Sequence, residues 1–282
     1  MKKFITITNL AKDENLSMTE KISKYIQDRG GSVTNFYTEM TDKWISCDFS
    51  DIPADCECAL VLGGDGTLIR TATRIEQLQI PLIGINLGTL GYLCVLEEEN
   101  VWSALDALME DRYTIEHRMM IKGAKAGESN YTQALNDIVI HRIGDLSTIP
   151  LKVYVNGELL TTYLADGIIV ATPTGSTAYN MSAGGPIVDP KSNMLLLTPI
   201  NAHNLNSKSI VLEADDTIEI EVGQRRTQQD EMAGVSFDGD SLIKLGVGER
   251  VLISKSDSVT KICKINRMSF LEILRRKMNT TY

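Results

Sequence analysis

Residues 59–67 read Ala-Leu-Val-Leu-Gly-Gly-Asp-Gly-Thr, an apolar run that ends in a glycine-rich loop, and a helix-like stretch follows at 68–73. This order predicts a buried strand, a tight turn and a helix. The small residues around Asp65 let phosphate oxygens approach backbone N–H groups, and the helix adds its positive N-terminal end. The loop is therefore predicted to be a site of phosphoryl transfer. The alternative is a structural turn in which Asp65 or Thr67 only caps the helix.

Strand and helix signals alternate on both sides of this loop, as they do in βαβ units. The pattern predicts a Rossmann-like α/β domain over residues 1–113. The acidic residues 97–99 are interpreted as the solvated start of a helix. The predicted strands cover residues 4–8, 32–37, 59–62 and 81–84, and the predicted helices cover residues 18–28, 67–77 and 102–109.

The pattern of the sequence changes after about residue 113, where long helical periods give way to alternating apolar and polar residues. Asn156-Gly157 and Asp238-Gly239 are two-residue turn signals of the kind that join hairpin strands. Residues 114–260 are therefore predicted to form a mostly antiparallel β-sandwich domain. The terminal segment 261–282 has a helical apolar face that ends in basic residues, and a lone helix of this length is marginal in water. We expect it to return to the α/β domain and pack there.

The length and composition exclude several classes of protein. With 282 residues, 43% hydrophobic and 23% charged, the chain has room for two ordinary globular domains. Its apolar runs fall far short of the ~20 residues of a membrane span, so no membrane partner is expected. A net charge of −9 argues against nucleic-acid binding, which needs a basic face. An odd, scattered set of cysteines argues against a disulfide framework and predicts a cytoplasmic protein with structural thiols: Cys47, Cys56, Cys58, Cys94 and Cys263.

A second loop of small residues follows the apolar run 168–171 and reads Thr-Pro-Thr-Gly-Ser-Thr-Ala-Tyr over residues 172–179. The hydroxyls of Thr172, Thr174, Ser176 and Thr177 offer hydrogen-bond donors and acceptors, and Tyr179 offers a ring for stacking. Such a loop suits a polar, planar ligand. Hydroxyl-rich loops are also common as structural turns, and the residues alone leave both interpretations open.

The two loops, together with Leu135-Asn136-Asp137-Ile138-Val139 between them, closely resemble the NAD kinase family. These enzymes phosphorylate the 2′-hydroxyl of the adenosine ribose of NAD to give NADP. The resemblance covers nearly the whole chain, including residues 84–92 and the tail 270–276. The first loop is shared with a wider superfamily that includes lipid kinases, whereas the second is much more specific to NAD kinases.

The resemblance implies a role for individual residues. Asp65 is implied as the catalytic group at the reacting ribose, with Gly63, Gly64 and Thr67 around the donor phosphate. Asn136 and Asp137 are placed on NAD hydroxyls or adenine, Asp166 at the nicotinamide end, and Arg70 toward phosphate. The implied NAD-binding residues are Asp65, Gly66, Arg70, Asn136, Asp137, Asp166, Thr177, Ala178, Tyr179 and Ser182. The resemblance also implies that NAD lies across the domain junction and that the enzyme is a homodimer or homotetramer.

This chain departs from the family at one position, because most members carry Asn-Glu where it has Asn136-Asp137. An aspartate reaches roughly 1.3 to 1.5 Å less far than a glutamate, the length of one bond. That loss is enough to turn a direct hydrogen bond to a ribose hydroxyl into a water-bridged one. We expect weaker NAD binding as a result.

The family implies ATP as the phosphoryl donor, and the sequence leaves inorganic polyphosphate open, as it leaves open whether NAD or NADH is accepted. A divalent metal, Mg²⁺, is expected to arrive with ATP, because the sequence contains no dedicated metal cluster. The isolated His117, His141 and His203 are interpreted as structural. Asp65 is either a general base or an orienting acceptor, because an ordinary aspartate is a weak base near neutral pH.

Two other functions remain as alternatives. A lipid kinase of the same superfamily would share the first loop but needs an apolar acyl pocket in place of residues 172–182. A non-catalytic NAD(P)-sensing protein would bind without turnover, and the intact Asp65 with its glycines argues against it.

Overall fold

The computed structural model divides the chain into two compact units. The first unit combines Met1–His117 with Thr260–Tyr282, and the second is Arg118–Val259. Cys47 lies outside the described residues, and the other four cysteines are free thiols. The described residues are 1–41, 44–46, 49–144, 148–203, 207–224, 232–265 and 268–279.

Strands and helices alternate at first, and strands dominate from residue 114 onward. The alternating elements are β1 (Lys3–Asn9), α1 (Ser17–Asp28), β2 (Ser32–Thr41), β3 (Trp44–Ser46), β4 (Cys58–Gly63), α2 (Asp65–Arg74), β5 (Leu82–Asn86), β6 (Leu96–Glu97) and α3 (Val101–Met109). The later elements are β7 (Thr114–Lys125), β8 (Thr132–Ala134), β9 (Asp137–Ile143), β10 (Ile149–Val155), β11 (Glu158–Ala165), β12 (Gly167–Ala171), α4 (Tyr179–Ser182), β13 (Met194–Ile200), β14 (Ile210–Glu213), β15 (Ile218–Val222), β16 (Met232–Phe237), β17 (Asp240–Gly246), β18 (Arg250–Lys264) and α5 (Phe270–Asn279).

The first unit is built on a parallel sheet with the strand order β5-β4-β1-β2 and with β3 antiparallel to β2. Strands β4 and β5 are buried along their whole length, as parallel strands are when helices cover both faces of the sheet. Helix α1 connects β1 to β2 and buries Ile22 and Ile26, and helix α2 connects β4 to β5 and buries Leu68. The predicted Rossmann-like α/β fold is confirmed.

Helix α2 begins at Asp65 rather than at residue 67. The N–H groups of Thr67 and Leu68 both donate to the carbonyl of Gly64, at 3.0 and 3.2 Å, so the first helical turn closes on Gly64. The helix ends at Arg74, short of the predicted residue 77, and a 3₁₀ turn follows at Glu76–Leu78.

The acidic run 97–99 is exposed as predicted, but it is only partly helical. Glu97 ends strand β6, and Glu98–Asn100 forms a 3₁₀ turn. This turn leads directly into α3, which begins at Val101.

The second unit is an antiparallel β-sandwich, as predicted. One sheet has the strand order β14-β13-β12-β9-β16-β17, and the other contains β11-β10-β15-β18 with β7 and β8 attached. Inward-facing residues of both sheets form one apolar core. Ile138, Ile140 and Val235 belong to the first sheet, and Leu151 and Ile220 belong to the second.

Two hairpin turns have the backbone geometry that their dipeptides predict. The angle φ is +51° at Asn156 and +82° at Gly157, and it is +49° at Asp238 and +91° at Gly239. Positive φ at both central residues is the signature of the type I′ turn. The flanking residues therefore pair, β10 with β11 and β16 with β17.

Strand β18 is paired near both of its ends. Ile253 opposes Ile218 of β15 within the second unit, and Ile262 opposes Leu82 of β5 within the first. Helix α5 then belongs to the first unit, where Ile273 is buried. Within the described residues, every helix is too short or too polar to span a bilayer.

Gly84 of β5 lies so close to Cys94 that we expect Gly84→Ala to destabilise the protein. A Cβ there would lie 2.8 Å from Leu68 Cδ1 and 2.9 Å from the backbone Cα of Cys94, and closer still to the Cys94 thiol. Overpacking of this kind costs about 1–3 kcal/mol of unfolding free energy, which a urea titration measures as a lower midpoint. Gly246→Ala is the control, because its nearest neighbour is a side-chain oxygen of Glu249 at 3.8 Å. Equal midpoints for the two variants would contradict the prediction.

Candidate active site

The glycine-rich loop lies at the carboxyl edge of the parallel sheet in the first unit. Strands β1, β4 and β5 end there at Asn9, Gly63 and Asn86. Ligands of open α/β sheets bind at this edge. A Cβ at Gly64 or Gly66 would meet no atom within 4 Å, so the surface of the loop is open.

The N-terminus of helix α2 faces this open surface. Gly64 is the N-cap in an extended conformation, and no side chain caps the helix. The first N–H groups of a helix have no intrahelical acceptor, and together with the helix dipole they favour an anion. The structural alternative, in which Asp65 or Thr67 only caps the helix, is therefore wrong.

The carboxylate of Asp65 is held instead by the loop that follows β5. Its Oδ1 accepts the N–H groups of Leu93 at 3.1 Å and Cys94 at 2.8 Å, and its Oδ2 accepts the N–H of Tyr92 at 2.6 Å. We call these three consecutive donors the 92–94 nest. Asp65 itself is half-buried. The nest fixes the direction in which the carboxylate points.

The other predicted residues of this loop differ in their exposure. Thr67 is buried, and its hydroxyl accepts a hydrogen bond from the Asn9 amide at 3.2 Å. Arg70 is half-buried one turn further along α2, and Gly66 is exposed. Thr67 therefore supports the loop from below.

The second unit contains an open pocket with a volume of about 560 Å³. Four of the predicted residues line it: Asn136, Asp137, Ala178 and Tyr179. Tyr179 is 46% exposed, so its ring is accessible for stacking. The other lining residues are Val139, His141, Ser236, Asp238 and Gly239.

Asp238 organises the loop that carries Asn136 and Asp137. Its carboxylate accepts the N–H groups of Leu135 at 2.8 Å, Asn136 at 2.7 Å and Asp137 at 3.2 Å. We call these donors the 135–137 nest. Burial raises the pKa of Asp238 to about 6, although the three N–H groups act in the opposite direction. Burial, and then the charge of Asp238, raise the pKa of Asp137 to about 7.

Most side-chain hydroxyls of the hydroxyl-rich loop form hydrogen bonds with other groups of the protein. The hydroxyl of Thr172 donates to the Leu135 carbonyl at 2.6 Å, and that of Ser176 donates to the Val188 carbonyl at 3.3 Å. Thr172, Thr174 and Ser176 are all buried. Of the two interpretations that the residues left open, the structural one fits these hydroxyls: those of Thr172 and Ser176 pair with backbone carbonyls, and that of Thr174 accepts a hydrogen bond from the Arg118 guanidinium at 3.4 Å.

The remaining predicted residues lie outside the lining of the pocket. Thr177 is half-buried beside it in sequence, and its hydroxyl donates to the Thr174 carbonyl at 3.3 Å, whereas Ser182 is exposed at the end of α4.

Asp166 precedes β12, at the opposite end of the β9–β12 ladder from Asp137. Ala171 opposes Asp137, and Gly167 opposes His141, so the two ends are four residues apart. Four residues of strand span about 13 Å. Hydrogen bonds from Asn201 at 3.0 Å and Arg142 at 2.9 Å hold the pKa of the Asp166 carboxyl below its usual range.

Sequence reasoning missed three parts of this arrangement. From the sequence, Asp238 was interpreted as a turn residue, His141 as an isolated histidine, Tyr92 as part of a resemblance and Cys94 as a structural thiol. In each case the function depends on backbone atoms or on a partner far along the chain. The pairing of β9 with β12 and β16 brings His141 and Asp238 to the same pocket.

Two family models together match most of the chain. Residues 4–113 match the ATP-NAD kinase N-terminal domain, and residues 135–265 match the ATP-NAD kinase C-terminal domain. The NAD kinase of Agathobacter rectalis is 58% identical over 281 residues, which is 99% of each chain. The NAD kinase of Lachnoclostridium phytofermentans is 42% identical over 288 residues, which is 98% of this chain and 99% of the relative.

Solved structures are similar over nearly the whole chain. A yeast NADH kinase complexed with NADH has a TM-score of 0.79 at 25% identity, covering 99% of this chain and 89% of that one. An NAD kinase from Archaeoglobus fulgidus in complex with ATP has a TM-score of 0.78 at 22% identity, covering 99% of this chain and 100% of that one. At that identity the second likeness concerns the fold.

The raised pKa values of Asp137 and Asp238 predict that stability falls as pH rises. The folded protein binds these protons more tightly than the unfolded chain, whose aspartates titrate near their ordinary value. The stability that the protonated carboxyls contribute is complete below about pH 4 and is lost as pH rises toward 7, with a slope of at most ~1.4 kcal/mol per pH unit for each proton. Urea titrations across this range should show the slope, and Asp137→Asn should reduce it. An unchanged slope in Asp137→Asn, equal to that of the exposed control Asp51→Asn, would contradict the prediction.

Proposed function

The chain belongs to the NAD kinase family and is an enzyme that phosphorylates NAD, and from this premise we propose that it transfers the γ-phosphoryl group of ATP to the 2′-hydroxyl of the adenosine ribose, giving NADP. The observation that carries the proposal is the position of Asp65, which starts helix α2 in the glycine loop with its carboxylate fixed by the 92–94 nest. A kinase needs an acceptor for the hydroxyl hydrogen beside an anion site for the donor, and this loop supports both.

The donor phosphates are assigned to the open side of the glycine loop. Gly63 and Gly64 bring the backbone close, and no side chain caps the N-terminus of α2. Thr67 contributes by holding the loop through Asn9. Arg70, one turn further on, supplies a positive charge for phosphate oxygens.

The acceptor NAD is assigned to the pocket of the second unit, whose volume of about 560 Å³ lies within the range of small-molecule sites, roughly 300–1,000 Å³. Asn136 and Asp137 bind ribose hydroxyls or adenine, and Ala178 and Tyr179 form a wall. Gly66, Thr177 and Ser182 complete the set of NAD-contacting residues. Asp166, five residues or about 17 Å along the sheet from Asp137, takes the nicotinamide end, which suits a long dinucleotide.

Asp137 acts at short range in this scheme. Asp137 is only 5% exposed, and its carboxyl lies beside that of Asp238. A side chain that is both short and buried reaches a ribose hydroxyl through a water molecule more readily than directly. The protonated form of Asp137 can donate as well as accept, so the pair with Asp238 offers both kinds of hydrogen bond.

The transfer itself is a single displacement at phosphorus. The 2′-oxygen forms a bond to the γ-phosphorus while the bond from that phosphorus to the bridging oxygen of ADP breaks, and ADP leaves with the electron pair. The hydroxyl proton passes to Asp65 and then to water. A loose transition state asks for little early deprotonation, so the aim of the hydroxyl matters as much as the removal of its proton.

A divalent cation fits the site as a companion of ATP. Among the described residues, no group of three or more His, Cys, Asp or Glu side chains is arranged to hold a metal. Mg²⁺ commonly keeps several waters and binds mainly through substrate phosphates, which matches a loop with the single carboxylate of Asp65. When bound, the ion neutralises phosphate charge.

Neither alternative function gains support, because the relatives and family models described above are all NAD or NADH kinases. We keep ATP as the proposed donor and inorganic polyphosphate as the second donor to test. The yeast NADH kinase complexed with NADH makes NADH the second acceptor to test. A cytoplasmic homodimer or homotetramer, without nucleic-acid or membrane partners, completes the proposal.

An assay of the purified protein tests the proposed reaction. With γ-labelled ATP and Mg²⁺, label is expected to appear in NADP when NAD is supplied, and a chelator should stop its formation. Diacylglycerol offered in the same mixture should stay unlabelled. Label in diacylglycerol, or NAD binding without any NADP, would instead support the lipid kinase or the sensing protein.

Asp65→Asn is expected to keep NAD binding and to lower kcat by the ~10²- to 10⁴-fold that follows loss of a general acid–base group. The amide keeps the size of the side chain but neither takes a proton nor accepts hydrogen bonds on both atoms. Steady-state kinetics and calorimetric titration with NAD separate the two effects. Asp28→Asn, at the exposed end of α1, is the matched control and should leave kcat unchanged. Near-normal turnover of Asp65→Asn would show that Asp65 is not the catalytic group.

A further inference from the structure

The loop Gly91–Cys94 makes an unusually complete set of contacts with the Asp65 carboxylate. Oδ1 accepts two N–H groups, from Leu93 and Cys94, and Oδ2 accepts one, from Tyr92. We propose that this loop is a positioning element of the reaction, which leaves one acceptor position on Oδ2 for the 2′-hydroxyl, and that Gly91 is the residue that admits the carboxylate. The proposal rests on the function assigned to Asp65 above.

The number of acceptor positions on the Asp65 carboxylate limits how a substrate hydroxyl can bind to it. An ionised carboxylate offers about four acceptor positions, two on each oxygen. The 92–94 nest takes both positions on Oδ1 and one on Oδ2. The hydroxyl of the acceptor therefore has a single strong position to bind, and its oxygen is aimed along one direction. When the new bond to phosphorus forms, the same Oδ2 receives the proton.

Burial and hydrogen bonding hold the loop in place, and the loop in turn holds the orientation of the Asp65 carboxylate. Cys94 is fully buried against Gly84 of β5, and Leu93 is 6% exposed. The N–H of Gly91 donates to the carbonyl of Cys94 at 3.2 Å, which closes the loop on itself. On the outside, the Lys277 ammonium of α5 lies 5.0 Å from the centroid of the Tyr92 ring.

The thiol of Cys94 stays a neutral neighbour of the carboxylate. Burial, then the negative charge of Asp65 and a hydrogen bond from the thiol to that carboxylate, raise the pKa of Cys94 well above its ordinary value. A protonated thiol is only a weak donor. The backbone groups of the nest therefore dominate the contacts of Asp65.

Position 91 has no room for a side chain, because the Asp65 carboxylate lies against its backbone. A Cβ at this position would lie 2.6 Å from Asp65 Cγ and 2.8 Å from Oδ2, and closer still to Oδ1. Any side chain there must push the carboxylate off the nest. Gly88 in the same loop is the natural comparison, because a Cβ there would meet only the flexible end of Lys12, at 3.6 Å.

A double-mutant cycle tests the proposal. Gly91→Ala is expected to lower kcat by about 10²-fold, the cost of misplacing a reacting group by about 1 Å, with KM for NAD within about threefold. Gly88→Ala should leave both constants within about twofold. In the Asp65→Asn background, Gly91→Ala should cause no further loss, because its effect acts through Asp65.

The outcomes separate the possible failures. Normal kcat in Gly91→Ala, or additive losses in the double variant, would overturn the positioning role while leaving the proposed function intact. Near-normal turnover of Asp65→Asn would instead overturn the role of Asp65 itself. Melting temperatures and NAD titrations of each variant identify any loss of folding.

A second variant covers the case in which Gly91→Ala does not fold. Replacing Tyr92 by its α-hydroxy acid analogue turns one amide into an ester, so that an oxygen replaces the N–H that lies 2.6 Å from Oδ2 while the side chain is kept. We expect kcat to fall by about tenfold, the equivalent of roughly 1.4 kcal/mol in transition-state stabilisation, with KM unchanged. An unchanged kcat in this variant would overturn the proposal.

Discussion

A carboxylate that leaves water needs hydrogen-bond donors in its place, and one loop in each unit is arranged around that requirement. Asp65 accepts three consecutive N–H groups from residues 92–94, and Asp238 accepts three from residues 135–137. In each case a single side chain fixes the backbone of a loop far away in sequence. These two contacts hold residues 92–94 beside Asp65 and hold the Asn136-Asp137 pair beside Asp238.

The two nests serve different ends because their surroundings differ. Asp65 is half-buried at an open sheet edge and keeps an acceptor position free. Asp238 is half-buried as well, but it lies next to the buried carboxyl of Asp137, and two adjacent aspartates do not readily carry two charges. The first nest therefore presents a charge to a ligand, whereas the second holds a loop in place and tunes the protonation of Asp137.

Local patterns predicted the fold well, and distant contacts limited the prediction of the site. The buried run 59–62, the helical period of α1 and the turn at Asn156-Gly157 each depend on neighbours in sequence, and the structure has all three. The roles of Asp238 and of residues 92–94 depend on strand pairing and on backbone donors, which no side-chain pattern reports. The residues alone left open whether the hydroxyls of Thr172 and Ser176 face a ligand, and both pair with backbone carbonyls because buried polar groups need partners.

The division of the first unit between residues 1–117 and 260–282 bears on the order in which the protein is made. A ribosome delivers β1 to β5 early, but Ile262, which pairs with Leu82 of β5, emerges only after the whole second unit. Until then this part of β5 is an unpaired strand edge, the kind of surface that invites association with other chains. The second unit, Arg118–Val259, is continuous in sequence and can complete its core first. The first unit therefore cannot complete its sheet until residues 260–282 have emerged, whereas the second unit can complete its core before then.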